Sequence, residues 1–102
     1  MKASGPRSQW ILVGADDSSL TFRIRSGAVK TAGRAPRADF IVNRALVSRL
    51  HCRLTAGEET IVVEDLSSTN GTFVNGKRVK RAELMSGDRL KLGRVELTIE
   101  KA

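Results

Sequence analysis

On either side of Gly93-Arg94 the chain alternates apolar and polar residues. Leu90, Leu92, Val95, Leu97 and Ile99 fall on one face, and Arg89, Lys91, Glu96, Thr98 and Glu100 on the other. A period of two belongs to strands with one buried face, and Gly93-Arg94 reads as the turn of a hairpin. Similar short β-rich segments recur between clusters of Gly, Asn, Asp and Ser, and no segment sustains helical spacing over three turns. The pattern predicts strands at Trp10 to Val13, Leu20 to Arg25, Ala28 to Ala32, Asp39 to Val42 and His51 to Thr55. Four more follow at Thr60 to Asp65, Thr72 to Val74, Asp88 to Leu92 and Val95 to Glu100. Asn75-Gly76 is the strongest hairpin signal, because both central residues of a type I′ turn need positive φ; Val74 and Val79 would flank it. Pro6 and Pro36 lie outside the expected strands, as residues without an N–H donor should. Many short strands with closely spaced turns imply an all-β protein, a two-sheet antiparallel β-sandwich. Trp10, Phe22, Phe40 and Phe73 sit in strand segments and are expected in its core.

Length adds that 102 residues suffice for one hydrophobic core and no more. Residues 1–8 read as a flexible N-terminal segment, and 9–102 as the domain. No apolar run approaches the roughly 18 residues of a membrane span, and the basic N-terminus has no apolar segment behind it to form a signal sequence. Cys52 stands alone, which suits a reducing compartment and a small core residue. The expected location is cytoplasmic. The net charge of +7 favours anionic partners. Its distribution sharpens this: Arg23, Arg25, Lys30, Arg34, Arg37, Arg44, Arg49 and Arg53 are opposed between Leu20 and Arg53 by Asp39 alone.

Three clusters fall where loops are expected: Gly33-Arg34, then Ser48-Arg49-Leu50-His51, then Asp65-Leu66-Ser67-Ser68-Thr69-Asn70-Gly71-Thr72. Asn75-Gly76 follows. Together, in this order, they resemble the forkhead-associated (FHA) family, whose signature joins Gly-Arg, Ser-x-x-His and Ser-x-Asn-Gly-Thr elements to a second Asn-Gly turn. The resemblance covers residues 30–99, with Ala32 where the family more often has a larger aliphatic residue. It implies a sandwich with its binding loops at one end, a phosphothreonine-containing protein segment as ligand, and a signalling role through phosphorylation-dependent protein-protein interaction. The partner would be a substrate of a Ser/Thr kinase.

The residues make chemical sense of that role. A phosphothreonine carries about −1.5 to −2 charges and three acceptor oxygens, so its reader needs converging donors and a fixed cation. Arg34 offers a planar donor fork, held on a loop by the backbone freedom of Gly33. Ser48 offers a hydroxyl, and Arg49 an N–H and a second positive charge. The resemblance assigns Arg34, Ser48, Arg49 and Thr69 to phosphate and Asn70 to the ligand main chain, with Gly33, His51 and Gly71 supporting the loops. Arg44, Leu46 and Val47 are the expected specificity loop. Asn75-Gly76 is assigned to structure.

Other classes fare worse. His51 near Ser48 and Asp65 invites a catalytic triad, yet no nucleophile signature accompanies it, and an enzyme is not expected. No cofactor is implied, and a lone His without a second ligand at suitable spacing is no metal site. Phosphate-independent assembly through a sheet face or edge is the alternative reading. Nucleic-acid binding ranks lower, because charge is its only support: no helix-turn-helix pattern or zinc-finger spacing is present. Membrane association is not expected, whereas further domains in a longer native chain remain compatible with the sequence.

Overall fold

The computed structural model describes residues 9–102; the segment 1–8, expected to be flexible, lies outside the described residues. Among the described residues eleven strands follow one another: β1 (Gln9–Gly14), β2 (Thr21–Arg25), β3 (Val29–Gly33), β4 (Phe40–Ile41), β5 (Cys52–Ala56), β6 (Ile61–Asp65), β7 (Thr72–Val74), β8 (Lys77–Val79), β9 (Arg81–Leu84), β10 (Arg89–Leu92) and β11 (Val95–Lys101). They form two sheets, ordered β2-β1-β11-β10-β7-β8 and β4-β3-β5-β6-β9. The all-β sandwich predicted by alternation is the observed architecture.

Alternation also sets which side chains face inward. Trp10 and Leu12 of β1, Leu90 and Leu92 of β10, and Leu97 and Ile99 of β11 join Leu54, Ile61, Val63 and Leu84 from the other sheet in one apolar cluster. All ten are essentially inaccessible to solvent. The indole N–H of Trp10 donates to the carbonyl of Gly57 at 2.9 Å, so the largest core side chain is both buried and satisfied. Cys52 is a core residue as expected, and burial, with a smaller push from the Asp65 charge, raises its thiol pKa to about 12.

The structure corrects the strand reading in three places. Strand β9 was not predicted, and β8 only as the second arm of the Asn75-Gly76 hairpin: Lys77-Arg78-Val79 carries two cations in three residues, and Arg81-Ala82-Glu83-Leu84 buries only Leu84 fully. Val79 is the one β-branched residue in the two segments, less than marks a strand; each forms because a neighbour supplies the ladder. Strand β4 pairs with β3 in parallel, unlike every other ladder among the described residues. It is docked there by Asp39, whose carboxylate accepts the Thr31 N–H at 2.9 Å. Finally, Phe73 is not a core residue. Thr72 and Val74 face inward, so Phe73 takes the outer face beneath the Lys91 ammonium, 4.9 Å from its ring centroid. Trp10 and Phe40 are buried, and Phe22 packs against the core with its ring stacked on Phe40.

The expected hairpins form. Asn75 and Gly76 both have positive φ, 50° and 84°, between β7 and β8. Leu92 pairs with Val95 across Gly93-Arg94.

Because Leu90 is fully enclosed, Leu90→Ala should lower the unfolding free energy by about 2–5 kcal/mol in denaturant titration. Arg23→Ala, on the solvent face of β2, should change it by less than about 0.5 kcal/mol.

Candidate functional site

Three loops gather at one end of the sandwich: residues 34–39 after β3, 42–51 before β5, and 66–71 between β6 and β7. His51 joins the second to the third. Its side chain is fully buried. The Ser48 N–H donates to Nδ1 at 3.0 Å, and Nε2 stands 2.8 Å from the Gly71 carbonyl oxygen. An N–H on one side and a carbonyl on the other define a neutral ring protonated on Nε2. The His51 main chain adds two ties, its N–H to Ala32 O and its carbonyl to the N–H of Leu66.

Arg34 joins the first loop to the second. Its N–H donates to Ser48 O at 2.9 Å, and its Nε to Val47 O at 3.1 Å. That fixes the guanidinium while leaving both terminal nitrogens for a ligand. Ala35 continues the seam with a 3.0 Å bond to Arg49 O. Gly33 makes this seam possible, by a route other than the one expected. It ends β3 without a positive φ, and a Cβ placed on it would stand 2.2 Å from the Arg49 carbonyl oxygen. Gly33 therefore supplies space, not unusual backbone freedom.

The third loop is built on Asp65. Its carboxylate accepts the Ser68 N–H at 3.1 Å and the Ser68 and Thr72 hydroxyls, and Ser68 Oγ in turn accepts the Gly71 N–H at 3.0 Å. Burial opposes the negative charge of Asp65, yet the Ser68 and Thr72 hydroxyls and the Ser68 N–H outweigh it, and the pKa lies below the ordinary 3.8. Gly71 adopts φ +95°, which turns its carbonyl back to His51. The sequence reading missed Asp65 and Ser68 as organisers of this loop. The Asp-x-x-Ser spacing, which lets a carboxylate bond the backbone a few residues on, was the available signal.

Two bonds close the site. Thr69 donates its N–H to Ser48 Oγ at 3.0 Å, and Asn70 Nδ2 donates to Leu46 O at 3.0 Å. Ser48 is thus a bridge between loops and not a self-bonded turn serine. Its oxygen accepts, so its own proton is available to donate. Between the loops lies an open groove of about 420 Å³ lined by Arg34, Ala45, Leu46, Val47, Ser48, Thr69 and Asn70. Among the described residues no carboxylate pairs with Arg34 or Arg49, so the groove mouth is electropositive.

The structure brings Arg34, Ser48, Thr69 and Asn70 together, whereas the Arg49 side chain is exposed outside the groove lining. The expected specificity loop divides. Leu46 is 44% exposed at the groove with φ 71°, an uncommon conformation for a leucine. Val47 is buried in the core and offers only its backbone. Arg44 turns away, its Nη2 placed 2.5 Å from Asp17 in the β1–β2 turn. Ala45, which nothing in its residue type singled out, takes a place in the lining.

With the fold and this constellation in view, comparison with known proteins is direct. The FHA domain model matches residues 30–93, and the chain belongs to that family. It is 34% identical over 84 residues to the FHA domain-containing protein FhaA of Mycobacterium tuberculosis, covering 82% of this chain and 16% of FhaA. A solved structure from a study of phosphothreonine-dependent FHA domain interactions superposes with a TM-score of 0.82 at 33% identity, over 90% of this chain and 95% of that one. Mycobacterium tuberculosis EmbR in complex with a low-affinity phosphopeptide gives a TM-score of 0.84 at 25% identity, over 98% of this chain and 26% of EmbR. The chain spans less than half the length of the curated relatives it matches.

Asp65→Ala should cost about 1–3 kcal/mol of stability, because it strands the Ser68 and Thr72 hydroxyls, both buried. A carboxylate whose folded pKa is depressed stabilises fully above its unfolded value and loses that contribution as pH falls through the folded one. The difference between wild type and variant, followed by thermal unfolding, should therefore be constant near neutrality and shrink below about pH 4.

Proposed function

We propose that the chain is a phosphothreonine-peptide-binding module that joins proteins in a phosphorylation-dependent manner, without chemistry of its own. Its partner is a segment phosphorylated by a Ser/Thr kinase. The observation that carries this reading is the Arg34 guanidinium, fixed through Nε, free of any carboxylate among the described residues, and in one groove with a Ser48 hydroxyl whose proton is uncommitted.

Each group has a place in such a complex. Arg34 supplies two terminal N–H sets to a dianionic phosphate, and Ser48 and Thr69 supply hydroxyls. Asn70 keeps Nδ2 on Leu46 O and presents Oδ1 to a peptide N–H, so one side chain orders the groove wall and holds the ligand main chain. The phosphothreonine-dependent interactions named for one structural neighbour and the phosphopeptide named for another support this assignment. Charge-assisted hydrogen bonds contribute roughly 1.5–3 kcal/mol each, and several on one phosphate suit a Kd near about 1 μM.

Calorimetric titration with a phosphothreonine peptide, its phosphoserine version and its unphosphorylated twin tests the reading. The phosphothreonine peptide should bind tightest and the unphosphorylated one should not bind measurably; equal affinity for these two would refute phosphate recognition. Arg34→Ala should weaken binding by about 10- to 150-fold, the equivalent of one charge-assisted bond. Ser48→Ala should weaken it too, and also loosen the third loop by removing the acceptor of the Thr69 N–H.

A further inference from the structure

The outer face of the first sheet carries a second run of cations that the groove does not use. Residues directly opposite one another in adjacent strands share a face. Arg78 of β8 pairs with Phe73 of β7, Phe73 with Lys91 of β10, and Lys91 with Glu96 of β11. Arg89 lies two residues before Lys91 on the same face. Arg89, Lys91 and Glu96, with the Asn75-Gly76 turn, line a cavity of about 290 Å³.

This face is electropositive and preorganised. Among the described residues Arg78 and Lys91 have no carboxylate partner. Lys91 is held 4.9 Å over the Phe73 ring centroid, which orients the ammonium without neutralising it. Glu96 approaches Arg89 only to 3.8 Å, a contact with a side chain 67% exposed, so an incoming anion competes for Arg89 on good terms.

The face is also continuous with the groove. A Cβ built on Gly71 would stand 2.8 Å from Arg78 Nε, so that guanidinium lies against the loop carrying Thr69 and Asn70. From Gly71 to the Asn75-Gly76 turn the backbone takes four residue steps, about 13 Å at an extended rise. A peptide leaving the groove reaches Lys91 and Arg89 within a few residues.

We propose that Arg78, Lys91 and Arg89 form a second subsite that takes an acidic stretch of the same phosphorylated segment, roughly four to six residues from its phosphothreonine. This rests on the phosphothreonine reading and adds a sequence preference to it. A nucleic acid fits less well: the one aromatic on the face is covered by Lys91, so no base-stacking platform is offered.

The test compares a short phosphothreonine peptide with versions extended by an Asp/Glu block on the N-terminal or the C-terminal side, against wild type and the double variant Arg89→Glu, Lys91→Glu. For wild type at low ionic strength, one of the two acidic extensions should tighten binding by about tenfold, the product of a few exposed charge pairs. The gain should collapse at about 0.5 M salt. In the variant the gain should vanish while the short peptide binds as before, which also reports that the variant is folded. No gain from either extension, a gain that survives in the variant, or DNA competing with the acidic extension at equal charge concentration would each overturn the proposal. Failure of wild type to bind even the short peptide would overturn the phosphothreonine reading, and this inference with it.

Discussion

A single buried imidazole holds the candidate site in shape. His51 stands where β5 begins, with one ring nitrogen taken by the backbone of the second loop and the other by the carbonyl of the third. Its own main chain is bonded to β3 on one side and to the residue after β6 on the other. A fully buried polar ring is tolerable only if both nitrogens are satisfied, and here both partners are backbone groups that must stay put. The requirement runs in both directions. The loops need the ring to define their spacing, and the ring needs the loops to be buried without cost.

From that fixed point the remaining bonds follow in sequence. Ser48, positioned through its N–H by His51, turns its hydroxyl to the N–H of Thr69 and its carbonyl to the N–H of Arg34. Asp65 then shapes the third loop from below, and Asn70 reaches back to the carbonyl of Leu46. The resulting groove contains strain. Leu46 and Ser67 both have positive φ, at 71° and 57°, conformations that cost of order 1–3 kcal/mol each and persist only where surrounding structure enforces them. Around Leu46 that structure includes the Asn70 bond to its carbonyl, and around Ser67 the bond from the Ser68 N–H back to Asp65. Strained, hydrogen-bonded loops on a rigid scaffold are poised for a ligand, because little remains to be ordered when it arrives.

Strong alternation made β10, β11 and the other apolar strands legible in the sequence, since period two over several residues has few competing explanations. Strand β9 was not legible, and β8 only through the Asn75-Gly76 turn before it: Lys77, Arg78, Arg81 and Glu83 describe solvent-exposed chain, and the ladder partners β7 and β6 make them strands. The groove residues Arg34, Ser48, Thr69 and Asn70 were recognisable from motif order, which encodes positions in the chain. What motif order does not encode is direction. Arg44 looked like a groove residue and is turned to Asp17; Val47 looked like one and is core; Ala45 looked like nothing and lines the groove. Gly33 was marked for its backbone freedom and is required for the approach of Arg49 O. Each of these depends on how two segments distant in sequence pack, and no local pattern records that.

The cations divide in a way that separates scaffold from surface. Arg44 and Arg53 are paired with Asp17 and Glu64 and serve to tie neighbouring segments. Arg34, Arg78 and Lys91 have no carboxylate partner among the described residues, yet Arg34 is held by a carbonyl and Lys91 by an aromatic ring, and Arg78 lies against the Gly71 turn. A solvated surface cation needs no such restraint, and a structural one would be neutralised. Orientation without neutralisation keeps the positive potential intact while reducing the entropy lost on binding an anion. In this chain the charged groups that are restrained but unpaired are therefore the ones whose partner is to be sought outside the molecule.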